Sequence, residues 1–125
     1  MGIKQLLWIY LIILAFLSFN PWLLPDSSQA IGLITWDFLD HMVAYGLLSI
    51  LMMIAFGQQC RSQVLTGIVI LTSSLTGILY ESGQYWFTLN RHSSFYDAVA
   101  NILGAILGVV IFWFFWLYRQ HGSSD

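Results

Sequence analysis

The run AVANILGAILGVVIFWFFWLY, Ala98–Tyr118, holds no charged side chain and only one amide, Asn101. As a helix it would reach across a hydrocarbon core about 30 Å thick, which takes about 17–25 predominantly apolar residues. Working back toward the N-terminus, three more runs of this kind appear: Leu6–Leu24, Phe38–Phe56 and Val64–Tyr80. Of the 125 residues 58% are hydrophobic and 8% charged, and mean hydropathy is +0.76. A water-facing surface needs about a quarter of its residues charged, so an ordinary soluble globule is excluded. The pattern predicts an all-α fold: an integral membrane bundle of four transmembrane helices over about 6–24, 38–56, 64–84 and 97–118. The connections are short and leave no room for a second domain, so residues 1–125 are expected to form one.

The formal net charge of −2, a pI near 5.8 and the absence of a Lys/Arg cluster leave no footprint for nucleic acid. A single cysteine, Cys60, cannot close an internal disulfide or build a structural zinc site. Lys4, Arg61 and Arg119 fall on one side of the expected membrane and Arg91 on the other. The positive-inside rule then places both termini and the Gly57–Gln63 loop in the cytoplasm, and Pro25–Trp36 and Glu81–Tyr96 outside. The first segment also carries features of a cleaved signal peptide, with Lys4 ahead of an apolar run and Ser28-Gln29-Ala30 as a small-x-small site. That apolar run is longer than the usual 7–15 residues and includes Pro21 and Trp22, so an uncleaved first helix is expected.

Polar residues within the spans fall at helical spacing. Asp37, His41 and Tyr45 form one stripe at the outer end of the second helix, with Asp40 beside it. Ser74, Gly77, Glu81 and Gln84 share a face of the third helix, provided it continues through Gln84. Asp97, Asn101, Gly104 and Gly108 share a face of the fourth. Carboxylates in or beside a span are costly unless they face the bundle interior or a wet cavity, so a shared outer pocket is expected. Asp37, Asp40, Glu81 and Asp97 against Arg91 give that end a charge of −3 with His41 neutral. Protonation of carboxyls, charging of His41 or a bound cation would relieve it.

Simpler roles compete for several of these residues. Ser94 and Asp97 have the spacing of a capping box. Gly104-x-x-x-Gly108 fits close helix packing. His92 and His121 lie outside the spans and are expected to be solvated, and a structural hydrogen bond would account for His41. Tyr85, Trp86, Phe87, Phe95 and Tyr96 fit the outer interface, and Phe112–Trp116 fits a lipid-facing surface ending in an interfacial belt anchored by Tyr118 and Arg119.

Asp37-x3-His41-x3-Tyr45, then Glu81-Ser82-Gly83-Gln84, then Arg91-x5-Asp97-x3-Asn101-x2-Gly104-x3-Gly108 resembles the pattern of the VanZ-like membrane protein family in order and spacing, over most of the chain. It departs from the family at Phe38, where a basic residue is common, and in a slightly long Gln84-to-Arg91 linker. The resemblance implies a small multi-pass protein of the bacterial cytoplasmic (inner) membrane. The family name derives from a gene associated with low-level teicoplanin resistance, which implies a link to glycopeptide tolerance and antibiotic resistance but no settled biochemical activity.

Two functions of different class fit these residues best. In the first, a cell-envelope protein presents the pocket of Asp37, His41, Tyr45, Glu81, Gln84, Arg91, Asp97 and Asn101 to a lipid head group or a lipid-linked envelope precursor. In the second, an intramembrane enzyme acts on a phosphate-bearing lipid, with His41, Glu81 and Asp97 as acid, base or metal ligands and Arg91 on the phosphate. A divalent cation is the candidate cofactor. An ion pathway ranks third, because the inner halves of the helices read as apolar. No nucleophile elbow, HExxH or P-loop pattern is present.

Overall fold

A computed structural model describes residues 1–20, 30–31, 34–57, 63–87 and 94–122. Four helices account for nearly all of them: α1 (Ile3–Phe19), α2 (Trp36–Phe56), α3 (Gln63–Phe87) and α4 (Phe95–His121). The fold is all-α. Three of the helices, α2, α3 and α4, are long and apolar enough to cross a membrane, and the chain is a multi-pass helical membrane protein. Helix α1 is apolar but shorter. It starts earlier than its apolar run suggests and ends at Phe19, where Asn20 turns its N–H to the Leu17 carbonyl; the expected residues 21–24 lie outside the described ones.

The segment read from sequence as a plain loop before α2 contains a two-stranded antiparallel ladder. β1 (Ala30–Ile31) pairs with β2 (Ile34–Thr35), Ala30 opposite Thr35 and Ile31 opposite Ile34. Thr35 ends the strand and caps α2, its hydroxyl accepting the Phe38 N–H at 3.2 Å. Asp37 then falls in the first turn, where a carboxylate suits the helix dipole. The start of α4 is set the same way. The Ser94 hydroxyl accepts the Tyr96 N–H and the Asp97 carboxylate accepts the Ser94 N–H, both at 3.1 Å, which is the capping geometry that the spacing suggested.

Helices α2 and α4 make the most extensive contact in the bundle, and they do so backbone to backbone. A Cβ added at Gly104 would strike the Met42 carbonyl, one at Gly108 the Gly46 carbonyl, and one at Gly46 would lie 3.1 Å from the Gly104 carbonyl oxygen. The Gly104/Gly108 stripe therefore meets α2, with Gly46 as its counterpart. Lipid is as apolar as leucine, so close packing and interhelical hydrogen bonds hold such helices together rather than hydrophobic exclusion. Those bonds are present. Tyr10 Oη donates to the Ala44 carbonyl (2.8 Å), Tyr80 Oη to Leu11 (3.2 Å) and Ser73 Oγ to Tyr45 (3.1 Å).

Among the described residues, apolar packing falls into two groups. Leu7 and Leu14 of α1 lie against Tyr45, Leu48 and Ala55 of α2, while Met53, Val69 and Val109 join α2, α3 and α4. The aromatic run near the end of α4, expected as uniformly lipid-facing, is divided. Phe114 and Phe115 point outward, but Phe112 and Trp113 pack on the second group, and Trp113 Nε1 donates to Thr66 Oγ1 at 3.1 Å. An indole N–H in an apolar span needs an acceptor, and Thr66 on α3 supplies it.

Candidate functional site

The start of α2, the end of α3 and the start of α4 meet at one end of the bundle, and α3 continues past Glu81 and Gln84 to Phe87. Glu81 is 5% exposed, and Asn101 is fully buried. Asn101 Nδ2 donates to Glu81 Oε1 at 2.5 Å, and Asn101 Oδ1 lies 3.1 Å from His41 Nδ1. His41 Nδ1 is also 3.6 Å from Glu81 Oε1. Residues from α2, α3 and α4 thus form one chain of polar contacts.

The hydrogen-bond roles within that chain follow from its carboxylate end. Glu81 accepts, so the amide nitrogen of Asn101 faces it and the amide oxygen faces His41. An amide oxygen only accepts, so His41 Nδ1 carries a proton. In the neutral imidazole the lone pair then sits on Nε2, which is 3.9 Å from Asp37 Oδ1 one turn earlier on α2. Tyr45, one turn further along, is 3% exposed and its ring runs parallel to His41, with centroids 6.4 Å apart and an 11° angle between planes.

Gly77 makes room for this arrangement. A Cβ there would lie 2.5 Å from Asn101 Nδ2, 2.7 Å from its Cγ and 3.0 Å from Tyr45 Cζ. The sequence placed Gly77 on the polar face of α3, but its part in seating an amide from α4 was not readable, and neither was the role of Gly46. Both glycines sit inside apolar helices, which is the available signal.

Asp97 reaches the same end from α4. Asp37, His41 and Asp97 each offer a ligand-type atom, and the three atoms lie within 4.8 Å of one another. The two aspartates also line an open cleft of about 680 Å³, together with Thr35, Ser94, Tyr96 and apolar residues including Phe38, Met42 and Leu103. The cleft thus has a mainly apolar wall and an acidic edge, with His41, Asn101 and Glu81 bonded behind that edge.

Of the eight residues expected at a shared pocket, Asp37, His41, Tyr45, Glu81, Asp97 and Asn101 gather here. Gln84 is buried on the same helix as Glu81, and its amide donates to the Ser18 carbonyl at 2.6 Å, tying the end of α3 to the end of α1. Arg91, expected as the cation of the pocket, lies outside the described residues, as do His92, Cys60 and Arg61. Asp40 is exposed beside the stripe. Tyr85, Trp86, Phe87, Phe95 and Tyr96 are all exposed around this end of the bundle, and Tyr96 also lines the cleft.

Compared with protein-family models, curated proteins and solved structures, the chain matches none of them.

Proposed function

We propose that this chain is a VanZ-like protein of the bacterial cytoplasmic membrane that uses the cleft to hold the head group of a lipid or a lipid-linked envelope precursor. In this reading α1 crosses as a fourth span and both termini are cytoplasmic. The Asp37–His41–Asp97 end then faces outward. The observation that carries it is the connection of His41, Asn101 and Glu81 across three helices directly behind a 680 Å³ cleft with an acidic edge. Ionisable groups inside a membrane protein are expensive unless they serve a wet site, and here they support the wall of one. An apolar wall beside a few fixed polar groups suits an amphipathic ligand. The link to glycopeptide (teicoplanin) tolerance rests on the family resemblance alone.

Intramembrane catalysis on a phosphate-bearing lipid is the second reading. It is favoured by the Asn101 carbonyl oxygen at His41 Nδ1, which in the neutral imidazole leaves Nε2 as an acceptor toward Asp37. One experiment separates the two. Purified protein is incubated with envelope lipid extracts, with and without divalent cations, and followed by native mass spectrometry and product analysis. A retained, unmodified lipid supports the binding reading, and conversion of a lipid supports the enzyme. Neither retention nor conversion, with the protein folded, would refute both.

A further inference from the structure

We propose that Asp37, His41 through Nε2, and Asp97 bind a divalent transition-metal ion at the mouth of the cleft, with Asn101 and Glu81 as positioning residues. The donor set is one imidazole nitrogen and two carboxylates, drawn from two helices, and one ligand-type atom from each of the three residues lies within 4.8 Å of the others. Metal–ligand bonds of about 2.0–2.2 Å to nitrogen and oxygen would bring them closer still. His41 Nε2 and Asp37 Oδ1 are 3.9 Å apart, and Asp37 is about a third exposed. Backbone contact between α2 and α4 at Met42/Gly104 holds the helix that carries Asp97 beside the one that carries Asp37 and His41.

A second feature, outside the donor set, points the same way. A metal-ligating histidine usually directs its other ring N–H to a carboxylate or carbonyl group, which fixes the tautomer and aims the lone pair at the ion. His41 Nδ1 is held in this way by the Asn101 carbonyl oxygen. Asn101 is fully buried and anchored in turn to the buried carboxylate of Glu81. The orienting residues come from α3 and α4 and make no use of the cleft, whereas the lone pair they leave faces its acidic edge.

The chemistry of the donors narrows the ion. One nitrogen with two oxygens and no thiolate suits Mn²⁺ or Zn²⁺, and falls short of the six to eight oxygens that Ca²⁺ gathers. Three protein ligands leave open positions on the cleft side, where water or an anionic oxygen of a bound molecule would complete the coordination. The ion would thereby supply the positive charge with which an acidic edge could receive a phosphate.

The test uses the full chain, stripped with chelator and reconstituted in nanodiscs of zwitterionic lipid so that no anionic head group competes. Mn²⁺ is titrated and followed by electron paramagnetic resonance. The expected result is a single bound equivalent, displaced by Zn²⁺, with a nitrogen hyperfine coupling from His41. Asp37→Asn should weaken binding by about 10-fold or more, and His41→Gln should also abolish the nitrogen coupling. Glu81 donates no atom to the ion, yet Glu81→Gln should weaken binding by about 10-fold or more, with an altered coupling, because the orientation of His41 is loosened. Asp97→Asn is a poorer probe, since it also removes a helix cap. Circular dichroism confirms that each variant is folded. Absence of a bound equivalent, absence of nitrogen coupling, or affinity unchanged in Asp37→Asn would overturn the proposal. Head-group retention is measured separately and in anionic lipid, so loss of the metal site and failure of the head-group reading give different results.

Discussion

Gly77→Ala and Gly67→Ala make the same chemical change in the same helix, yet the structure assigns them opposite signs. At Gly67 an added Cβ meets nothing within 4 Å, so the substitution removes only the conformational cost of glycine in a helix interior. That gain is about 0.5–1 kcal/mol. At Gly77 the same atom would lie 2.5 Å from Asn101 Nδ2 and 3.0 Å from Tyr45 Cζ. Overpacking of this kind typically costs about 1–3 kcal/mol. Displacing the amide also breaks the Asn101–Glu81 hydrogen bond, which averages about 0.6 kcal/mol between membrane helices and is worth more where a carboxylate is left unsatisfied. Setting these losses against the helix-propensity gain leaves Gly77→Ala destabilising by about 1–3 kcal/mol, hence about 2–4 kcal/mol apart from Gly67→Ala. The assay is reversible unfolding of the purified protein in mixed micelles of mild detergent and dodecyl sulfate, followed by far-UV circular dichroism. A double-mutant cycle identifies the cause. An Asn101→Ala background removes the two closest contacts and keeps the one with Tyr45 at 3.0 Å, so Gly77→Ala should cost at least about 1 kcal/mol less than in the parent. Equal stability of the two single variants, or additivity in the cycle, would show that Asn101 does not sit over Gly77 and that the three-helix contact is wrongly drawn.

Two further outcomes are expected. If Arg91 meets Asp97 as expected from the sequence, Arg91→Gln combined with Asp97→Asn should show a coupling of about 0.5–3 kcal/mol in the same unfolding assay; strict additivity would place Arg91 away from the acidic edge. Cys60 should resist an impermeant maleimide in intact cells and react after permeabilisation, whereas full labelling of intact cells would invert the orientation proposed above.

The helical class and the membrane-crossing character of the chain follow from sequence, because both depend on local quantities: the length of an apolar run and the scarcity of charge within it. Local pattern also placed the Ser94–Asp97 cap, since its partners are three residues apart on one chain. The stripe Asp37–His41–Tyr45 was readable for the same reason, helical periodicity being enough to set a face. The short β1–β2 ladder was not, since two-residue strands leave almost no alternation to detect. Contact between faces is a different matter. Lipid-exposed and neighbour-facing surfaces of a membrane helix are both apolar, so hydropathy does not say how each helix is rotated or which partner it meets. That rotation turned Phe112 and Trp113 inward while Phe114 and Phe115 stayed outside. The tertiary structure also paired the Gly104/Gly108 stripe with Gly46, sent the Gln84 amide to α1, and seated Asn101 between His41 and Glu81 over Gly77. Sequence placed the polar groups at one end of the bundle; the crossing of α2 and α4, close because three glycines lack a Cβ, decided which of them touch.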